Sequence, residues 1–253
     1  NLIIDTDAAG TDGTITANGQ ITAGTVTLFT GGGTATLNNS ANDFSNVAIN
    51  STATVSVQHA GGLTVNNTTS TAAVTFTVGA GGQISFTTLN YGSLTVNAPT
   101  IRVGGTLTNT AGNLLLNGDV VLTATSTLTT NGAGSVTITG STNSETATAR
   151  GLTVNAGNKS ISLGDLGTSM ALGAVDLTGA GAAGETISVG NVGGAAAGAG
   201  LMRVNSDATS GNGEAGGGAD AGNVTFTGRV NLGTNNLIID TDAAGTDGTI
   251  TAN

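Results

Sequence analysis

NLIIDTDAAGTDGTITAN, residues 1–18, recurs letter for letter as residues 236–253, an offset of 235 residues (236 − 1). Fold constraints do not hold Gly, Ala and Thr positions to identity, so the match marks recent duplication of a long unit. The chain is therefore expected to be a fragment. Residues 1–235 are one full tandem repeat and 236–253 the start of the next, as in a fibre built from long copies.

Inside the stretch, Leu2 and Ile4 flank Ile3, an apolar-x-apolar burst with the period of two of a half-buried strand. The same burst returns as Val26/Leu28, Val47/Ile49, Val74/Phe76, Leu94/Val96, Leu114/Leu116, Val136/Ile138, Leu152/Val154, Val175/Leu177 and Met202/Val204, and again as Leu237/Ile239. Taken as one column, these give ten turns per period, a mean of about 23.5 residues each (235/10). Most turns carry a second burst (Ile15, Ala35/Leu37, Val55/Val57, Ile84/Phe86, Ile101/Val103, Val120/Leu122, Ile161/Leu163, Ile187/Val189). Some carry a third, at Ile21, Leu63, Leu107 and Leu128. Three short strands per turn describe a triangular coil. One turn alone buries too little apolar surface to offset its ordering entropy, so stacked turns must share a core. The expected fold is all-β, a right-handed parallel β-helix (β-solenoid) of about ten triangular turns, with handedness from the crossover rule. Sandwich domains would need units of about 100 residues with bulky core aromatics, which the sequence lacks.

Composition agrees. Five Phe, one Tyr and no Trp force an aliphatic core, while 43 Gly, one Pro and abundant Thr, Val and Ile disfavour long helices. Only 8% of residues are charged, so hydroxyls and amides must keep the surface wet. The net charge of −10 counts Asp5, Asp7 and Asp12 twice, through their copies Asp240, Asp242 and Asp247; one period carries 12 acids (15 − 3) against 5 bases. Arg102, Arg150, Arg203 and Arg229 are widely spaced, which argues against a nucleic-acid partner. No apolar run reaches the length of a membrane helix, and without Cys stability rests on burial and hydrogen bonds.

Between the inward pairs of the first column stand Ile3, Thr27, Ala48, Thr75, Thr95, Leu115, Thr137, Thr153, Asp176 and Arg203. Thr dominates, and T-x-T spacing occurs at 25/27, 75/77, 137/139 and 225/227, the pattern of an ice-binding face. Ile3, Ala48, Leu115, Asp176 and Arg203 interrupt the column, so no regular array is expected. Asp5, Asn50, Asn97, Asn117, Asn155 and Asn205 follow the first strand at a corner, where stacked Asn side chains can form ladders. Outward Ile3, Leu115 and Val121 are the candidates for lateral contact between rods, though isolated exposed aliphatics are common and carry little weight. Turn 135–151 is short, and residues 206–222 (SDATSGNGEAGGGADAG) read as a Gly-rich loop extruded from a corner.

Few residues suggest chemistry. DTDAAGTDG places Asp5, Asp7 and Gly10 at positions 1, 3 and 6 of a twelve-residue calcium loop, with Asp12 nearby and Asp240, Asp242 and Asp247 in the copy. Position 5 is Ala9 and position 12 is Thr16, which fits an Asp/Gly-rich corner better than a calcium site. His59, the sole histidine, has no Cys or triad motif to join and is expected at the surface or a corner. Asp119, Glu145, Asp165, Asp176 and Glu185 are scattered rather than paired as in glycoside hydrolysis. Asp176 and Arg203 occupy adjacent turns and are expected to form a surface ion pair. No enzymatic activity is expected.

GSLTVNAPTIRVGGTLTNTAGNLLLNGDVVLTA (92–124) and GNVTFTGRVNLGTNNLIIDTD (222–242) resemble the β-strand repeats of bacterial filamentous-haemagglutinin-like proteins, giant secreted adhesins. The resemblance covers nearly the whole chain and lies in its Gly/Asn/Thr-rich turns. It implies a long right-handed β-helix exported to the cell surface, with roles in adhesion, biofilm or cell–cell contact. The expected function is the structural shaft of an extracellular fibre or repetitive adhesin, continued end to end by further copies, with glycans, cell surfaces or neighbouring rods as lateral partners. A glycan- or partner-binding module is the alternative, ahead of a polysaccharide-active enzyme or an ice-binding protein.

Overall fold

The computed structural model describes residues 1–9, 11–66, 68–182, 184–193, 201–206, 221–233, 235–242 and 246–253. All regular structure among them is β: 23 strands in one continuous sheet, every pairing between them parallel. Among the described residues no helix is long and apolar enough to cross a membrane. The strands wrap a three-sided β-solenoid. In the first coil Leu2–Asp5 forms side one and Ile15–Ala17 side two, and Thr22–Gly31 begins on side three and turns onto side one of the next coil. Leu89–Val103 runs round all three sides: Leu89–Tyr91 pairs on side one, Leu94–Asn97 on side two and Thr100–Val103 on side three.

Two ladders link the duplicated stretch to its copy. On side one the register runs Asp5, Phe29, Asn50, Thr69, Asn90, Thr108, Thr129, Asn155, Thr178, Asn205, Asp240. On side two it runs Ile15, Ala35, Val55, Val74, Leu94, Leu114, Val136, Ile161, Ile187, Val224, Ile250. Each begins on a residue of 1–18 and ends on that residue's own duplicate, stacked above it along one line. Turns regular on all three sides number about eight, slightly fewer than the ten expected. In the last coils side three shrinks to the isolated bridges Thr142↔Leu166, Leu166↔Val192 and Val192↔Val230.

The ladders correct the assignment of strands to sides. Val74/Phe76, Leu94/Val96, Leu114/Leu116 and Val136/Ile138 stack on Val55/Val57 of side two, not above Leu2/Ile4. Ile84/Phe86, Ile101/Val103 and Val120/Leu122 belong to side three, and Leu107 and Leu128 to side one. The short turn 135–151 disappears with this correction. Val136–Ile138 and Thr142–Ser144 are sides two and three of one coil, and Arg150–Asn155 opens the next on side one.

Every side presents alternate residues to one core. Val26, Leu28, Val96, Leu114 and Leu116 are fully buried, and Phe44, Phe76, Phe86, Phe226 and Tyr91 fill the gaps between aliphatic layers. Corners are turned by inward hydroxyls bonded to nearby carbonyls: Thr6 Oγ1 to Gly13 O (2.8 Å), Ser51 Oγ to Ala53 O (2.9 Å), Thr130 Oγ1 to Gly134 O and Ser144 Oγ to Ala171 O. The expected asparagine corner divides. Asp5, Asn50, Asn155 and Asn205 lie on the side-one ladder, whereas Asn97 and Asn117 end side-two strands. There Asn117 Nδ2 donates to Asn97 Oδ1 (2.8 Å), and Gln58 Nε2 donates to Asn38 Oδ1 (2.9 Å) lower on the same edge.

Beyond that edge glycines let successive coils touch. A β-carbon on Gly140 would lie 2.4 Å from Gly118 O, and one on Gly164 would lie 2.3 Å from Gly140 O. Residues 207–220, the bulk of the expected loop, lie outside the described residues. Its flanks are buried at Ser206 and Ala221, and Gly222 N donates to Ser206 O (3.2 Å), so the chain leaves and re-enters the coil at one corner.

Candidate functional site

The Asp/Gly corner follows the first side-one strand. Asp5 Oδ1 accepts from Asp7 N (3.0 Å), an Asx turn that recurs in the copy as Asp240 Oδ1 from Asp242 N (3.1 Å). Asp12 turns towards the next coil: Oδ1 accepts from Ala8 N (3.1 Å) and Oδ2 from Gly32 N. These amides, Gly32 first, hold the Asp12 carboxyl below the usual carboxylate range. Gly31, with φ of +49°, makes room, since a β-carbon there would lie 2.7 Å from the Asp12 carboxyl carbon. The acids thus serve as backbone acceptors, and among the described residues no three His, Cys, Asp or Glu side chains gather to hold a metal. Gly10 of the proposed calcium loop, and Ala243 to Gly245 of the copy, lie outside the described residues.

The copies sit in different surroundings. Asp5 is exposed, while Asp240, packed on Asn205, is 6% exposed; Asp242 and Asp247 are exposed. Ile15, covered by Ala35, is 6% exposed, while Ile250, at the end of the ladder, is 53% exposed.

His59 is a buried corner residue rather than a surface one, at 2% exposure. Its Nε2 accepts the Phe44 N–H (2.9 Å), and its Nδ1 sits against the Gly61 backbone, 3.1 Å from Gly61 N and 3.3 Å from Gly61 O. Phe44 packs edge-on against the ring, with centroids 4.7 Å apart. Both nitrogens are engaged with backbone, so His59 locks a corner and offers no free base. The sequence signal for this was its place at the end of a strand whose alternate residues, Val55 and Val57, point inward.

Asp176 and Arg203 meet as expected across adjacent coils, with Arg203 Nη1 3.9 Å from Asp176 Oδ2. Arg102 pairs with Glu145, reaching past Val121 of the coil between them, and Lys159 Nζ lies 3.7 Å from Glu185 Oε1. All three pairs are partly exposed struts between coils, each of small energetic weight. Ile3 is exposed, while Leu115 and Val121 are half-buried in their columns.

Sequence reasoning missed the outer face of side two. The residue following each rung of the Ile15-to-Ile250 ladder points outward, and in ten of the eleven it is Thr or Ser, the exception being Leu115. The residue preceding each rung also points outward and is Thr or Ser except at Ala73, Asn113 and Asn223. Ile3, Ala48, Asp176 and Arg203, the expected interruptions of this file, stand on side one. The T-x-T pairs 14/16 and 34/36, beside those at 75/77, 137/139 and 225/227, were the signal that could have joined it. No protein-family model, curated protein or solved structure matches this chain.

Proposed function

We propose that this chain is a length of structural shaft: one 235-residue period of a solenoid continued by further copies into an extracellular or cell-surface fibre of the repetitive-adhesin kind. The observation that carries the reading is the pair of ladders in which Asp5 leads to Asp240 and Ile15 to Ile250. The sequence 1–18 has its upper neighbour described in one copy and its lower neighbour in the other. A coil that repeats its sequence where it repeats its geometry can continue without a seam, and each added period meets the interface the last one met. The surface of hydroxyls and amides, the low share of charged residues (8%) and the likeness of 92–124 and 222–242 to haemagglutinin-type repeats support the surface-fibre setting. The proposal gives the chain no catalytic role.

A chain extended by one further period tests it. At about 4.8 Å per layer, ten added layers lengthen the rod by about 48 Å. Electron microscopy is expected to show one straight rod of that added length. Two bodies joined at a variable angle would refute a continuous shaft.

A further inference from the structure

We propose that side two is an ice-binding surface. Its outward hydroxyls form two parallel files, T-x-T or its Ser variants on most strands, carried on straight parallel ladders. Neighbouring hydroxyls stand about 4.8 Å apart along the axis and about 7 Å apart across a strand, two residues of rise. These spacings lie close to the two repeats with which oxygen recurs on the prism plane of hexagonal ice.

β-propensity does not account for the pattern, because it acts on all three sides alike. The outward column of side one carries Ile3, Ala48, Asp176 and Arg203, and side three carries Asp43, Arg102 and Asp165. The outward positions of side two, and the amide edge through Asn38, Asn97 and Asn117, hold no Asp, Glu, Lys or Arg; the charges that reach the face are the Lys159–Glu185 pair at its leading corner, where Glu185 accepts from Ser160 Oγ. Charge orders water radially about itself and breaks a lattice, so its exclusion from the outward positions of one side of an acidic chain is the condition an ice face requires.

Most of the hydroxyls are also unengaged. The side-chain hydroxyls of Thr36, Thr75, Thr95, Thr137 and Thr225 make no hydrogen bond among the described residues, unlike the corner hydroxyls of Thr6, Ser51 and Thr130, while in the second file Ser160 Oγ donates to Glu185 Oε2 and Thr249 Oγ1 to Asn223 Oδ1. Each unengaged threonine keeps its donor and lone pairs for the layer above it, while its methyl group restrains the water between files. A polysaccharide would need a cleft or aromatic platforms. Side two is an open face, and Phe76, Phe86, Phe226 and Tyr91 are buried beneath the sheets.

Thermal hysteresis and ice-recrystallisation inhibition of the full 253-residue chain test this. The expected result is a freezing-point gap with faceted crystals, lost in the double variant Thr95→Lys/Thr137→Lys, kept in Thr27→Lys on side one, and strengthened in Leu115→Thr. Circular dichroism of each variant reports retention of the sheet. Should the double variant fail to fold, adsorption of the labelled wild-type chain to an ice hemisphere decides the matter. Exclusion from the ice, loss of activity in Thr27→Lys equal to that in the double variant, or sedimentation with cellulose or chitin without ice activity would each overturn the proposal. None of these outcomes depends on whether the coil continues into a fibre.

Discussion

Asp12 shows how a single carboxylate serves this architecture. It accepts the Gly32 amide of the next coil and the Ala8 amide of its own, and both favour the ionised form. Because the folded-state pKa is depressed, the stabilisation is complete above the ordinary value near 3.8 and is lost as pH falls through the lowered folded value. The first corner is therefore expected to loosen on acidification below about pH 4. Amide exchange at Gly32 should rise there in the wild type, whereas Asp12→Asn should show raised exchange already at neutral pH and little further change with acid. A Gly32 amide equally protected in both proteins at pH 7 would contradict this. Tyr91 is a different kind of residue. Its hydroxyl is buried without hydrogen-bond geometry to any partner among the described residues, and burial pushes its ionisation well above the usual phenol range against a weaker opposing effect of Thr68. The ring is retained for its volume in a core short of large side chains.

At the scale of the element, the edge after side two governs how closely coils can stack. Gly118, Gly140 and Gly164 bring backbone onto backbone, and a methyl group at Gly140 would sit 2.4 Å from the Gly118 carbonyl oxygen. Gly140→Ala is expected to cost about 1–3 kcal/mol, the range for overpacking a close contact. Urea unfolding followed at Tyr91 and by far-ultraviolet dichroism measures it; a midpoint unchanged from wild type would show that the corner can spread. The strands themselves were legible in the sequence because alternation is a local property: Val74/Phe76 is a strand wherever it lies. Its side was not legible. All three sides carry the same apolar-x-apolar pattern, and nothing within Val74–Phe76 distinguishes a partner at Val55 from one at Ile49. Coil length varies too, so a frame held constant at its two ends slipped by one side through the middle. That slip scattered the hydroxyl file among charged positions and hid the outer face of side two. It also left His59 undecided between surface and corner, whereas the true register carries it inward behind Val57. The duplication fixed the total advance because it compares whole periods, which local pattern cannot do.

For the whole molecule, the duplicated segment makes the two ends unequal to a natural junction. Within a continuous shaft, coil 1–18 rests on the coil ending near Asn235, as 236–253 does here through Met202↔Leu237 and Val224↔Ile250. If two 253-residue chains meet end to end, however, 236–253 must lie against 1–18, its own sequence. Asp240, Asp242 and Asp247 then face Asp5, Asp7 and Asp12, and like charges in register repel. A chain of residues 1–235 has no such overlap; its last coil presents to the next copy the surface that 236–253 covers here. Both chains expose unpaired parallel strand edges, the usual template for addition. Covering an inward isoleucine such as Ile250 contributes about 1.5–3 kcal/mol. The 1–235 chain is accordingly expected to form linear oligomers at concentrations at least about tenfold below those needed by 1–253. Added salt should narrow the difference by screening the aspartates. Sedimentation velocity across a concentration series distinguishes the two, and a 1–235 chain that remains monomeric where 1–253 associates would break the link between sequence repeat and structural repeat.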